Sequence, residues 1–220
     1  MGGIRWERWA PASGIVYVLL FVVGLMVAPK SIGETDEEIL AYYADSGNRA
    51  REISSFFIGI VAVLFFLFFL RTLHRRLRSV ESEPKSLPAL AFGAGVTSAA
   101  LLVGAVALWT GTSFTIEDTS EFVVDPSLAR YVDTTGYLLF TASVMVTSLL
   151  VGATSLLAVR TAVLPTWLGW VGLPVAVILL FAFFFFPLLV FWLWVLAVSV
   201  IFIARPPVTH AAEAGISKGR

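Results

Sequence analysis

Apolar residues run along this chain in long blocks, and polar residues are confined to the short stretches between them. The longest block reaches from Trp167 to Ala204, 38 residues without a charge and with Ser199 as its one hydroxyl. A hydrocarbon core about 30 Å thick takes about 20 residues of helix. The block is therefore long enough to cross twice, with a turn at or near Phe183–Pro187. Four earlier blocks each have the length of one crossing. The pattern predicts an all-α membrane protein with six transmembrane helices over residues 12–28, 53–70, 87–110, 131–158, 167–184 and 188–204. These spans form a single domain, residues 1–205, followed by a flexible tail, 206–220.

The punctuation between blocks refines this. Pro11 and Pro29 bracket the first span, and Pro29 directly after the apolar run favours an uncleaved helix over a signal peptide. Thr35-Asp36-Glu37-Glu38 reads as a capping box. Behind it Ile39, Leu40 and Tyr43 fall on one side of a short helix expected to lie on the membrane surface, with Gly47 as its C′ residue. The second span continues into Arg71–Arg78 without a breaker. The third carries small residues four apart (Ala89, Gly93 and Thr97; Ala100 and Gly104), which lets helices approach closely in a bilayer. Residues 111–125 read as a polar loop, closed by Asp125-Pro126 as N-cap and first helical residue. In the fourth span Thr134, Thr141, Ser148 and Ser155 are seven apart, almost two turns, and share a face with Gly152. That face is either a packing seam or the lining of a cavity. Trp167 and Trp170 suit a headgroup interface.

Charge adds a direction. The chain has 15 basic and 15 acidic residues, 14% charged, with mean hydropathy +0.89; a soluble domain carries about 25% charged residues. With the N-terminus in the cytoplasm and six spans, 11 of the 15 basic residues fall on the cytoplasmic side and 4 outside. This positive-inside bias predicts that both termini are cytoplasmic. Most acidic residues fall outside, without the ligand spacing of an EF-hand. On the cytoplasmic side Arg71, Arg75, Arg76 and Arg78 are candidates for contact with anionic lipid headgroups.

Candidate chemistry is sparse. There is no cysteine, so disulfides, thiolate metal sites and thiol catalysis are excluded. His74 and His210 are the two histidines, and neither lies within a span where a haem ligand would stand. No His-Glu-x-x-His occurs. No span has a central Asp, Glu, Lys or Arg, the usual mark of an ion path or proton relay. Asp133 comes closest, and it reads as a carboxylate favoured by a helix N-terminus.

Asn48-Arg-Ala-Arg-Glu before a Phe-rich span, Arg71-Thr-Leu-His-Arg-Arg-Leu-Arg after it, and Leu164-Pro-Thr-Trp-Leu-Gly-Trp before the last hairpin carry a resemblance. Together they resemble a group of small polytopic bacterial integral membrane proteins of uncharacterised function, frequent in actinobacteria. The resemblance implies a bacterial cytoplasmic membrane location and no catalytic or ligand residues. The expected role is non-enzymatic: packing with a membrane partner or a second copy, or sensing the bilayer. The alternative is a carrier or binder of a lipidic or apolar small molecule, using the hydroxyl face of the fourth span. The expected partners are the lipid bilayer and its anionic headgroups. No catalytic, cofactor-binding or metal residue and no nucleic-acid partner is expected.

Overall fold

A computed structural model describes residues 10–29, 32–80, 86–119, 121–161, 163–184 and 186–204. The expected tail, 206–220, lies outside the described residues, as do Arg205 and the basic Arg5, Arg8, Lys30 and Lys85. The described chain is helical, with no strand. A single 3₁₀ turn, Ala10–Ala12, leads into α1 (Ser13–Val27). There follow α2 (Asp36–Ala44), α3 (Ser46–Arg78), α4 (Ser86–Asp118) and α5 (Pro126–Thr161). The chain then forms α6 (Thr166–Ile178), extended by a 3₁₀ turn at Leu179–Phe181, and α7 (Phe186–Ala204).

Five helical segments are long and apolar enough to cross a membrane: Ala10–Val27, α3, α4, α5 and α7. The sixth, Thr166–Phe181, is shorter; at 1.5–2 Å per residue it measures roughly 25 Å. Pro174 stands inside α6, where it removes one backbone hydrogen bond. The segment tightens to 3₁₀ geometry before the turn.

The surface shows what solvent these helices meet. Along α3, Phe57, Val61, Leu64 and Phe68 are exposed at 42–57%, while Ala62, Phe66, Phe69 and Leu70 are buried at 2% or less. Both faces are equally apolar, so burial in this helix does not sort residues by polarity. Lipid on the outside and packed protein on the inside account for that.

Helix α5 packs along α4 on one side and α6 on the other, α3 lies between α1 and α4, and α7 closes against α1. The core centres on Phe66, whose ring lies 4.8 Å from Tyr17 and 6.1 Å from Phe191. The crossings are made at glycines. A Cβ on Gly14 would strike Ser199 Oγ of α7 and approach Phe69 of α3 to 2.8 Å. One on Gly172 of α6 would strike Ser155 Oγ of α5 and reach within 3.2 Å of Trp194 Nε1. Of the small residues expected to matter in the third span, Gly93 faces open space and Gly104 has ordinary contact; the close approach is at Gly95, where an added Cβ would come within 2.5 Å of Leu70.

Three local expectations change. Helix α4 runs past residue 110 to Asp118, so the polar stretch there is largely helix. Thr110 and Thr115 bond back to Val106 O and Gly111 O, each at 2.9 Å, and no breaker intervenes. Gly47 does not end α2. It lies in the first turn of α3, donating its N–H to the N-cap Asp45 Oδ1 at 2.7 Å. The buried face of α2 is Ile39, Tyr42 and Tyr43, with Leu40 46% exposed. Helix α2 therefore docks on α3 and α5 rather than lying free on a bilayer.

The capping box forms. Gly33, at φ +93°, turns the chain into it, Thr35 Oγ1 accepts from Glu38 N, and Glu38 Oε2 accepts from Thr35 N at 3.0 Å and Glu34 N at 2.9 Å. Those backbone donors, Thr35 first, hold the Glu38 carboxyl below its ordinary value.

Two outcomes follow from these contacts. Gly14→Ala is expected to destabilise by about 1–3 kcal/mol through overpacking, while Gly93→Ala, into open space, is neutral or slightly stabilising; thermal melts in detergent compare them. Because the Glu38 pKa is depressed on folding, its contribution is complete above the ordinary carboxylate range and is lost as pH falls through the lower folded value. Protection factors of the α2 amides should decline over that acidic window, and Glu38→Gln should remove the pH dependence.

Candidate functional site

The polar residues of the α2 end converge on one side chain. Glu52, in the second turn of α3, is 8% exposed. Tyr42 Oη of α2 donates to its Oε1 at 2.6 Å, and Ser113 Oγ of α4 donates to its Oε2. Helix α2 is positioned for this by its own ends. At its C-terminus the orphan carbonyls of Tyr42 and Tyr43 accept from Asn48 Nδ2 at 3.3 Å and Arg49 Nη1 at 2.6 Å, groups that complement the negative end of a helix. Arg49 Nε also pairs with Glu117 at 2.7 Å. At its N-terminus Arg130 of α5 holds Asp36 Oδ1 at 2.8 Å and Glu34 O at 3.0 Å. Burial, then the hydrogen bond to Glu52, drives the Tyr42 hydroxyl well above its usual range, and burial pushes Tyr43 up to about 12. Both phenols stay protonated as donors.

Beneath this roof lie two adjoining chambers. The upper chamber, about 170 Å³, is lined by Ala28, Pro29 and Ile32 near α1, by Tyr42 of α2 and by Glu52 and Ser55 of α3. Val106, Trp109 and Thr110 of α4 and Asp133 of α5 complete it. The lower chamber, about 280 Å³, is almost wholly apolar. Phe21, Gly24, Leu25, Gly59, Leu102, Tyr137 and Phe140 line it, and it shares Ala28, Ser55, Val106 and Trp109 with the chamber above. Each alone is smaller than a typical small-molecule site of about 300–1,000 Å³, and only together do they reach that range. The lower chamber separates α1 from α5. Its lining residues Leu25 and Tyr137, 42% and 40% exposed, bring it to the lateral surface of the bundle.

Trp109 forms the wall where the chambers meet. Its indole lies flat on Gly136, where a Cβ would come within 2.8 Å of Nε1, and Nε1 donates to Asp133 O at 3.2 Å. Asp133 stands seven residues beyond the start of α5, past the first turn where the helix dipole acts. It is a chamber residue, not an N-terminal-turn carboxylate.

The hydroxyl face of the fourth span is elsewhere. Thr141, Ser148 and Ser155 are buried and Thr134 is exposed, and none of the four lines either chamber. Gly152 meets Ala176 of α6 at ordinary contact distance, 3.6 Å for an added Cβ. The buried Thr141 Oγ1 and Ser155 Oγ have no hydrogen-bond partner among the described residues. The hydroxyl that does bond between helices is Ser143, which donates to Ser98 O of α4 at 2.8 Å and lies 3.1 Å from Ser98 Oγ. Its position two residues past Thr141, on the opposite side of the helix from the seven-residue series, hid it. At the opposite end of the bundle Arg71, Arg75 and Arg78 are exposed, while Arg76 is partly buried. Arg76 Nη2 donates to Phe202 O at 3.2 Å and its guanidinium stacks on the Phe202 ring at 4.6 Å, tying α3 to the last turn of α7. Among the described residues no three potential metal ligands come together.

Glu52 was missed because it reads in sequence as the last charge of a polar stretch. Its only signal is its place one residue before an apolar run.

Comparison with protein families, with curated proteins and with solved structures returned no match, so the functional argument rests on this geometry.

Proposed function

We propose that this protein is a non-enzymatic, six-span membrane protein of a bacterial plasma membrane that binds a lipid-like small molecule. The apolar body of the ligand occupies the lower chamber, at membrane depth between α1 and α5. Its polar head occupies the upper chamber beneath α2. The observation that carries this reading is the lining of two adjoining pockets, which share Ala28, Ser55, Val106 and Trp109 and pass from Glu52 and Asp133 in one to Phe21, Leu102 and Phe140 in the other. This reading takes the place of simple packing with a partner, because a cavity graded from polar to apolar fits an amphiphile.

The six-span topology puts the α2 end and its acidic residues outside and the Arg71–Arg78 stretch inside, as the basic-residue bias favours. The short segment Thr166–Phe181 is the fifth span. Its turn stays within the bilayer boundary: Phe181, Phe183 and Phe184 are 60–72% exposed, and Tyr137 Oη donates to Phe183 O at 2.7 Å. That bond satisfies one of the backbone groups that water cannot reach there.

The ligand reading is tested by blocking the neck between the chambers. Val106→Trp is expected to abolish co-purification of bound lipid, read by native mass spectrometry, while leaving the detergent melt within a few degrees of wild type. Lipid retained in full by a folded Val106→Trp protein would contradict the proposal. Topology is tested separately. Fusions of a periplasm-active reporter after Asp45 and after Ser120 should be active, and one after Ser82 inactive; an active Ser82 fusion refutes the six-span arrangement.

A further inference from the structure

We infer that the head of the ligand is a cation, so that the molecule bound is an amphiphilic amine or ammonium compound rather than an anionic or neutral lipid. This rests on the ligand chamber proposed above and goes further by assigning the charge of its occupant. The upper chamber presents two carboxylates, Glu52 and Asp133, to one space. The hydroxyls of Tyr42 and Ser113 both donate to Glu52, one to each oxygen, an arrangement that suits the ionised carboxylate. Asp133 has no hydrogen bond or ion pair to its carboxylate among the described residues.

The neighbouring cations are committed elsewhere. Arg49 pairs with Glu117 and with the Tyr43 carbonyl, and Arg130 with Asp36 and the Glu34 carbonyl. No described Lys, Arg or His lines the chamber. An ion pair is favourable in a sheltered site when both charges keep good partners, and here the described lining residues supply only the negative half. The chamber's aromatic wall fits the same occupant. Tyr42 and Trp109 border it, and an aromatic face attracts a partly desolvated ammonium group. An anionic head would meet two like charges there, and a neutral head would leave both carboxylates unpaired.

The test uses three twelve-carbon probes that differ only in the head: dodecylamine, dodecanol and dodecanoate. Each is titrated into the full-length protein in nanodiscs at neutral pH, with Val106→Trp protein as the background for non-specific partition. The amine is expected to bind about tenfold or more tightly than either other probe. Glu52→Gln and Asp133→Asn should each reduce that preference. Asp133→Asn guards against loss of folding, because the Asp133 carboxylate makes no hydrogen bond or ion pair among the described residues.

Equal binding of all three probes, sensitive to Val106→Trp but not to either carboxylate change, would overturn the cation assignment and keep the chamber. Tight dodecanoate binding that Lys30→Ala removes would also overturn it, since the chain itself would then supply the cation. No probe binding above the Val106→Trp background would instead sink the chamber reading itself.

Discussion

A carboxylate taken out of water must find its partners in the protein, and Glu52 does so by drawing three helices to one point. Tyr42 comes from α2, Ser113 from α4, and Glu52 itself from α3. Helix α2 has nine residues, too few to persist alone in water. It survives as the roof of the bundle because Ile39, Tyr42 and Tyr43 are buried beneath it and its two ends are held by side chains of other helices. The surface ion pairs at Arg49 and Arg130 add direction more than energy, since exposed pairs contribute at most about 1 kcal/mol. The buried carboxylate and the buried aromatic face do the fastening, and the upper chamber exists because they hold α2 above α3 and α5.

The same requirement, that no backbone group go unsatisfied away from water, explains the other polar contacts. Arg76 reaches Phe202 O where α7 ends, and Tyr137 reaches Phe183 O where the last hairpin turns. Each is a long side chain from one helix serving the end or turn of another. Within the membrane the helices use a different device, close approach at Gly14, Gly95, Gly169 and Gly172. Polar contacts near the rims, the buried Ser143–Ser98 bond and close approaches at glycines thus join the bundle.

The helices were legible in the sequence because lipid leaves few alternatives: an apolar block of sufficient length is a helix, and the Asp125-Pro126 pair marks where α5 begins. What stayed hidden depends on partners distant in sequence. Glu52 is ten residues from Tyr42 and 61 from Ser113, and no local pattern joins them. The seven-residue hydroxyl series identified a face of α5 but not its neighbours. Ser155 of that face meets Gly172 of α6, while Ser143, from the opposite side of the helix, bonds to α4. Over the nine residues of α2 the periodicity could not choose between Leu40 and Tyr42, because either completes an apolar stripe. The polar run 111–118 looked like a loop only because its reasons for being helical, Glu52 and Arg49, lie on another helix.

On the reading proposed above, the presence of two adjoining chambers also decides where selectivity resides. A ligand tail that moves from the bilayer into the lower chamber exchanges one apolar surrounding for another, so it gains little from the hydrophobic effect. The walls formed by Phe21, Leu102 and Phe140 can reject a tail of the wrong shape, but they supply little affinity against lipid. The head is different. In the upper chamber it leaves a wet interface for a site bounded by Tyr42, Trp109 and two carboxylates, where charge interactions are stronger than in water. Discrimination between ligands must therefore be made at the Glu52 end. That end is also the part of the bundle that depends on α2, so recognition of the head and retention of the roof rest on the same side chains.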